Sequence, residues 1–149
     1  ASIPVVKQKY IYLDSVREAK KLNIEFTGFV DPLGDGVINA YRFFAWAELQ
    51  GKATEYMLAC FRAIYVDGIE LADAKSVDKI MKKLTLNVDD ARAFQQDHDW
   101  QQWADVNQVA LNKLNLWGVP CFTYGKSSYW GQDRIPLLEK EIKSTLSNG

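Results

Sequence analysis

The strongest constraint on the fold is one hairpin signal near the end of a chain that otherwise keeps helical period. Val119-Pro120-Cys121-Phe122-Thr123-Tyr124 reads as a strand, Gly125-Lys126 as a two-residue turn, and Ser127-Ser128-Tyr129-Trp130 as the returning strand. A lone two-stranded hairpin is marginal in water. Its apolar residues and free edges require further strands, which the residues ahead of it do not obviously supply. The order of elements therefore predicts the back half of an α/β domain interrupted by a helical insertion, with strands encoded upstream of Ala1 or lent by a partner chain.

Six or seven helices are expected around that hairpin. In residues 7–22, Tyr10, Leu13, Val16, Ala19 and Leu22 recur at nearly helical spacing among charged residues. Residues 24–29 alternate as a short extended segment, and the run from Asp31-Pro32 to Gly36 reads as a loop. A second helix starts near Gly36 and is apolar almost all round, which predicts burial. The third places Met57, Leu58, Phe61, Ile64 and Tyr65 on one stripe and ends at Asp67-Gly68. Two short helices follow, capped by Ser76 and by Asn87, with Val77, Ile80, Met81 and Leu84 inward on one, and Val88, Ala91 and Phe94 on the other. Trp100, Trp103, Ala104, Asn107, Ala110, Leu111 and Leu114 mark a longer one. Asp133 has N-cap chemistry for the last helix, Pro136 suits its first turn, and Ile135, Leu138, Ile142 and Leu146 form its predicted buried face.

A chain of 149 residues, 48% hydrophobic and 25% charged, is in the range of one globular domain with a real core. Eighteen basic against nineteen acidic residues, a net charge of −1, create no field for a phosphate backbone or an anionic membrane. No apolar run approaches the roughly 18 residues of a membrane span. The two cysteines, Cys60 and Cys121, lie too far apart in the sequence and in too different contexts for a disulfide framework, which favours a reducing compartment, the cytoplasm. One histidine, His98, supports neither a triad nor a zinc cluster.

Two segments carry a specific resemblance. Trp117-Gly118-Val119-Pro120-Cys121-Phe122, followed by Tyr129-Trp130-Gly131-Gln132-Asp133-Arg134-Ile135-Pro136-Leu137-Leu138-Glu139, resembles the closing signature of the 2-hydroxychromene-2-carboxylate isomerase family. The DsbA-like family and the kappa-class glutathione transferases share its outline. Upstream, Lys7, Tyr10, Asp14, Arg17 and Ala19 and the run from Phe61 to Ile69 are similar to family segments in the family's order. The resemblance implies an α/β thioredoxin-like fold with a helical insertion: residues 1–116 as the insertion, and 117–149 as the C-terminal part of the thioredoxin-like domain, comprising a cis-Pro strand, a hairpin and the last helix. It also implies an N-terminal crossover of roughly 30 or more residues. That unit carries a glutathione-activating Ser in the isomerases and Cys-x-x-Cys in DsbA-like oxidoreductases; neither motif occurs in these residues.

By the same resemblance glutathione is the cofactor, held by the backbone of Val119 before a cis Pro120, by Gln132 and Asp133 at a helix start, and by Lys7. Pro at the first position of a strand costs no ladder bond, so an ordinary trans proline on an edge is the blander account of Pro120. Asp133 as a simple cap and Lys7 as a solvated helix charge are the corresponding alternatives. Trp117 and Trp130 flank the implied cleft and would stack a small-molecule substrate, although tryptophans in so small a chain are mostly core. Arg134 is expected in an ion pair with neighbouring carboxylates, and Cys121 as a small buried residue.

Three functions follow. The first is a glutathione-dependent isomerase or transferase, of which these residues alone would be inactive. The second is a DsbA-like thiol–disulfide oxidoreductase. The third is a non-catalytic helical subunit completed by a partner chain. The resemblance also implies a homodimer.

Overall fold

The computed structural model of the chain describes residues 3–30 and 33–147. It is mainly helical: α1 (Val5–Leu22), α2 (Asp35–Leu49), α3 (Ala53–Tyr65), α4 (Ala74–Lys83), α5 (Val88–Asp97) and α6 (Trp100–Lys113) precede β1 (Cys121–Tyr124) and β2 (Ser127–Trp130). A 3₁₀ turn, Gln132–Arg134, then leads into α7 (Ile135–Ser147). Two compact units divide at Trp100/Gln101.

In the first unit, α2 to α5 share one core, in which Ala47, Leu71, Val77, Met81 and Ala91 are wholly buried. Leu71, in the turn between α3 and α4, is held by Asn39, whose Nδ2 donates to the carbonyls of Leu71 and Ala72, both at 3.0 Å. The buried side of α3 is Tyr56, Cys60, Ala63 and Ile64, while Met57, Leu58 and Phe61 of the predicted stripe are exposed. Both stripes are apolar; the one carrying alanine and cysteine wins because small side chains let α3 approach α2 closely. For the same reason α2 is buried at Gly36, Phe43 and Ala47, and Tyr41 and Leu49 face outward.

Local chemistry fixes the helix ends. Asn87 caps α5, its Oδ1 accepting from the amides of Asp89 and Asp90. Ser76 does not cap α4; Asp73 does, accepting from the Lys75 amide at 3.0 Å, because the helix begins a turn earlier than the apolar pattern indicates. Helices α1, α4 and α6 close through a left-handed residue, Asn23, Thr85 and Asn115. In each the next amide bonds back five residues, Ile24 to Ala19, Leu86 to Met81 and Leu116 to Leu111. Thr85, β-branched and costly at positive φ, accepts at Oγ1 from Lys52 Nζ at 2.7 Å, and the same ammonium binds the Leu84 carbonyl.

Residues 24–30 form no strand. The segment docks on the end of α3 instead, through Thr27 N–H to the Tyr65 carbonyl (3.0 Å) and Val30 N–H to the Ile64 carbonyl (3.3 Å). Of the loop predicted after it, Asp31 and Pro32 lie outside the described residues.

In the second unit the hairpin pairs Cys121 with Trp130 and Phe122 with Tyr129 across the Gly125-Lys126 turn. Directly opposed residues share a face. Phe122, Tyr124, Ser127 and Tyr129 are on the face toward α7, where Ser127 Oγ donates to Glu141 Oε1 at 2.8 Å. Pro136 falls in the first turn of α7, as its missing N–H allows. The predicted buried face of α7 is not buried: Leu138 and Ile142 are half-covered, Ile135 and Leu146 exposed. Two strands are a narrow platform, and among the described residues no third strand joins them.

Candidate functional site

The second unit gathers six of the seven predicted site residues around the start of β1. Trp117, Gly118 and Val119 lead into it, and the Val119–Pro120 peptide bond is cis. The Pro120 carbonyl accepts from the Gly131 amide at 2.9 Å, which ties the loop to the residue just ahead of Gln132 and Asp133. Val119 is 81% exposed. Among the described residues neither its N–H nor its C=O makes an intramolecular hydrogen bond. An extended backbone can therefore pair there without displacing anything.

Trp117 and Trp130, 69% and 53% exposed, stand beside this peptide with ring centroids 5.8 Å apart and planes inclined at 56°. They are not core, unlike most tryptophans in a chain this size. Gly118 makes the arrangement possible: a Cβ there would lie 2.9 Å from Trp130 Nε1, closer than a side chain tolerates. Sequence reasoning passed over Gly118, although a glycine between two tryptophan-bearing segments was a signal of close approach.

Asp133 does not cap α7. It lies inside the 3₁₀ turn, where Gly131 supplies the N-cap position without a side-chain bond and the Arg134 amide donates to the Gly131 carbonyl at 3.1 Å. The Asp133 carboxylate turns back over Gly131, whose φ of 103° and lack of Cβ admit it. Arg134 Nε is 3.7 Å from Asp133 Oδ2, so the expected ion pair is present, but both side chains are exposed and it holds little. Gln132 is exposed beside them. Cys121 is half-buried rather than buried, and its thiol donates to the Gly118 carbonyl at 2.6 Å, stiffening the loop from within. Lys7 belongs to the other unit, exposed on α1.

A profile of the DSBA-like thioredoxin domain matches residues 3–143. The chain belongs to the DSBA-like thioredoxin family. Among solved structures this family member is similar to a 2-hydroxychromene-2-carboxylate isomerase containing selenomethionine, with a TM-score of 0.79 and 22% identity over 96% of this chain and 69% of that one. At that identity the likeness concerns the fold. No curated protein matches the sequence. The expected class, thioredoxin-like and mainly helical with a terminal hairpin and last helix, is the one observed. Among the described residues of this family domain no helix is long and apolar enough to cross a membrane.

Proposed function

We propose that this DSBA-like domain is the ligand-orienting part of a glutathione-dependent isomerase or transferase of the 2-hydroxychromene-2-carboxylate isomerase type. The observation that carries this is the exposed, unpaired Val119 peptide beside an acidic turn. Glutathione is itself a short peptide, so its cysteinyl backbone matches the Val119 N–H and C=O, and its γ-glutamyl ammonium matches the Asp133 carboxylate, with Gln132 adding an amide. Glutathione, when bound, supplies a nucleophilic thiol. The chain's own residues hold the peptide in register and, through Trp117 and Trp130, offer ring faces to a small aromatic substrate.

On this reading residues 1–116 are the helical insertion and 117–149 the returning part of the thioredoxin-like domain, in a protein of the cytoplasm. The group that activates the thiol, a Ser, comes from chain outside these residues or from a partner. The 149-residue chain alone is expected to show no glutathione-dependent turnover; robust turnover by a preparation verified by intact mass sinks the proposal. Binding is tested by titrating glutathione into ¹⁵N-labelled protein. Amide shifts at Val119 and residues 131–134, weakened by Asp133→Ala, are expected, and shifts confined elsewhere refute the site.

The family match favours a second reading, thiol–disulfide oxidoreductase, in which the Val119 edge holds an extended cysteine peptide. An unrelated disulfide-bearing peptide that binds this edge more tightly than glutathione decides for it.

A further inference from the structure

We propose that the first unit carries a second ligand site, a cleft for an uncharged, hydroxyl-bearing aromatic molecule. The cleft encloses about 590 Å³, within the usual range of small-molecule pockets. One wall is α1, through Gln8, Ile11 and Ser15. The rest of its wall, among the described residues, is Ile3, Phe29, Leu33 and, at the end of α3, Tyr65.

That wall is built in place. Thr27 Oγ1 donates to the Val66 carbonyl at 2.6 Å, and Arg62 pairs with Glu25 at 3.0 Å, so the segment bearing Phe29 is pinned to the end of α3. Ring contacts continue the tie: Phe26 stacks on Tyr65 at 6.3 Å, and Tyr12 of α1 meets both Phe26 and Phe29 at 6.0 Å. A concave surface held by cross-links on two sides is preorganised, which lowers the cost of binding.

The lining chooses the ligand. Among the described residues it is mostly aliphatic and aromatic, and none of those side chains is charged. Its polar groups are biased toward accepting. Gln8 gives one Nε2 proton to the Ile3 carbonyl at 2.7 Å, which leaves Oε1 and one N–H, and Ser15 spends its hydroxyl proton on the Ile11 carbonyl at 2.9 Å, which leaves its lone pairs. The Tyr65 hydroxyl makes no intramolecular hydrogen bond among the described residues. A flat ring finds apolar walls, and a phenolic O–H finds acceptors. A carboxylate finds no cation among the described lining residues and only the Tyr65 hydroxyl and one Gln8 N–H as donors, so most of its desolvation goes uncompensated. The site is independent of the glutathione reading, since it shares no residue with the Pro120 loop.

The test is to titrate 2-naphthol and, separately, 2-naphthoate into the 149-residue chain with ¹³C-methyl NMR. Saturable binding of 2-naphthol with shifts at the Ile11 and Leu33 methyls is expected, with 2-naphthoate at least about tenfold weaker. Ile11→Trp fills the cleft from an exposed position and should weaken 2-naphthol by a further factor of about ten or more; Leu33→Trp serves the same purpose should the first variant fail to fold. Equal binding of the two compounds, methyl shifts elsewhere, or undiminished affinity in a folded tryptophan variant overturns the site. None of these outcomes bears on glutathione shifts at Val119, so the two proposals fail separately.

Discussion

Replacing Leu71 by alanine opens a void in the best-packed part of the helical unit. The side chain is wholly buried although it lies in a turn, so three carbons leave an enclosed space. Truncations of this kind cost about 2.7–5 kcal/mol, depending on how far the site can collapse. Here collapse is resisted, because Asn39 grips the carbonyls of Leu71 and Ala72 at 3.0 Å and fixes the turn backbone. The expected loss is therefore in the upper half of the range, about 4 kcal/mol, a large share of the roughly 5–15 kcal/mol of a typical domain. In a unit of about 100 residues each kcal/mol moves the midpoint by roughly 4–8 °C, so thermal unfolding should fall by about 15–30 °C. Urea denaturation at 25 °C, followed by circular dichroism and fluorescence, measures the free energy. Asn39→Ala should lose about 1–3 kcal/mol alone, and in combination it frees the turn to close the void, so the double variant should lose less than the sum by at least about 0.5 kcal/mol. A loss below about 1.5 kcal/mol for Leu71→Ala, or strict additivity, refutes this account.

Cap assignments separate cleanly: Asn87→Ala and Asp73→Ala should each cost about 1 kcal/mol in urea denaturation, and Ser76→Ala less than about 0.5 kcal/mol. Burial pushes the Cys60 thiol up to about 11 from 9.0, partly offset by its hydrogen bond with Tyr56. The folded state then keeps a proton that the unfolded chain releases, so stability is intact below pH about 9 and falls toward pH about 11, by about 2–3 kcal/mol. Subtracting the pH profile of Cys60→Ala from that of the unaltered protein should isolate the fall, and a flat difference disproves it. Gly118→Ala should force the exposed Trp130 indole aside, changing tryptophan fluorescence while costing less than about 1 kcal/mol; an unchanged spectrum shows that the contact is not made.

Periodicity revealed the type and order of the helices and the hairpin because each rests on local spacing. It failed where two local solutions compete. Asp73 and Ser76 are both cap residues three positions apart, and only the length of α4 decides between them. On α3 two apolar stripes are available, and the one with small side chains, Cys60 and Ala63, wins only because α2, elsewhere in the chain, packs closely against it. Asn39, Lys52 and Thr27 were invisible because their bonds reach backbone carbonyls more than thirty residues away. The Pro120 loop was legible through family resemblance rather than physical pattern. The α1 cleft was not legible at all, since its walls come from Ile11, Phe29 and Tyr65, which no local window joins.

Buried side chains are distributed unevenly along the described chain. The shared core lies in α2 to α5 and the turns beside them, while the half bearing the Val119 peptide encloses only Leu116 and Tyr129. Amide exchange should accordingly be slow at one end and fast at the other. A ligand captured by that softer half must freeze it as well as touch it, so part of any recognition energy is drained into ordering the receptor. Selectivity at such a surface rests on which guest repays that tightening, and occupancy would read out as protection of the hairpin before any change in its outline.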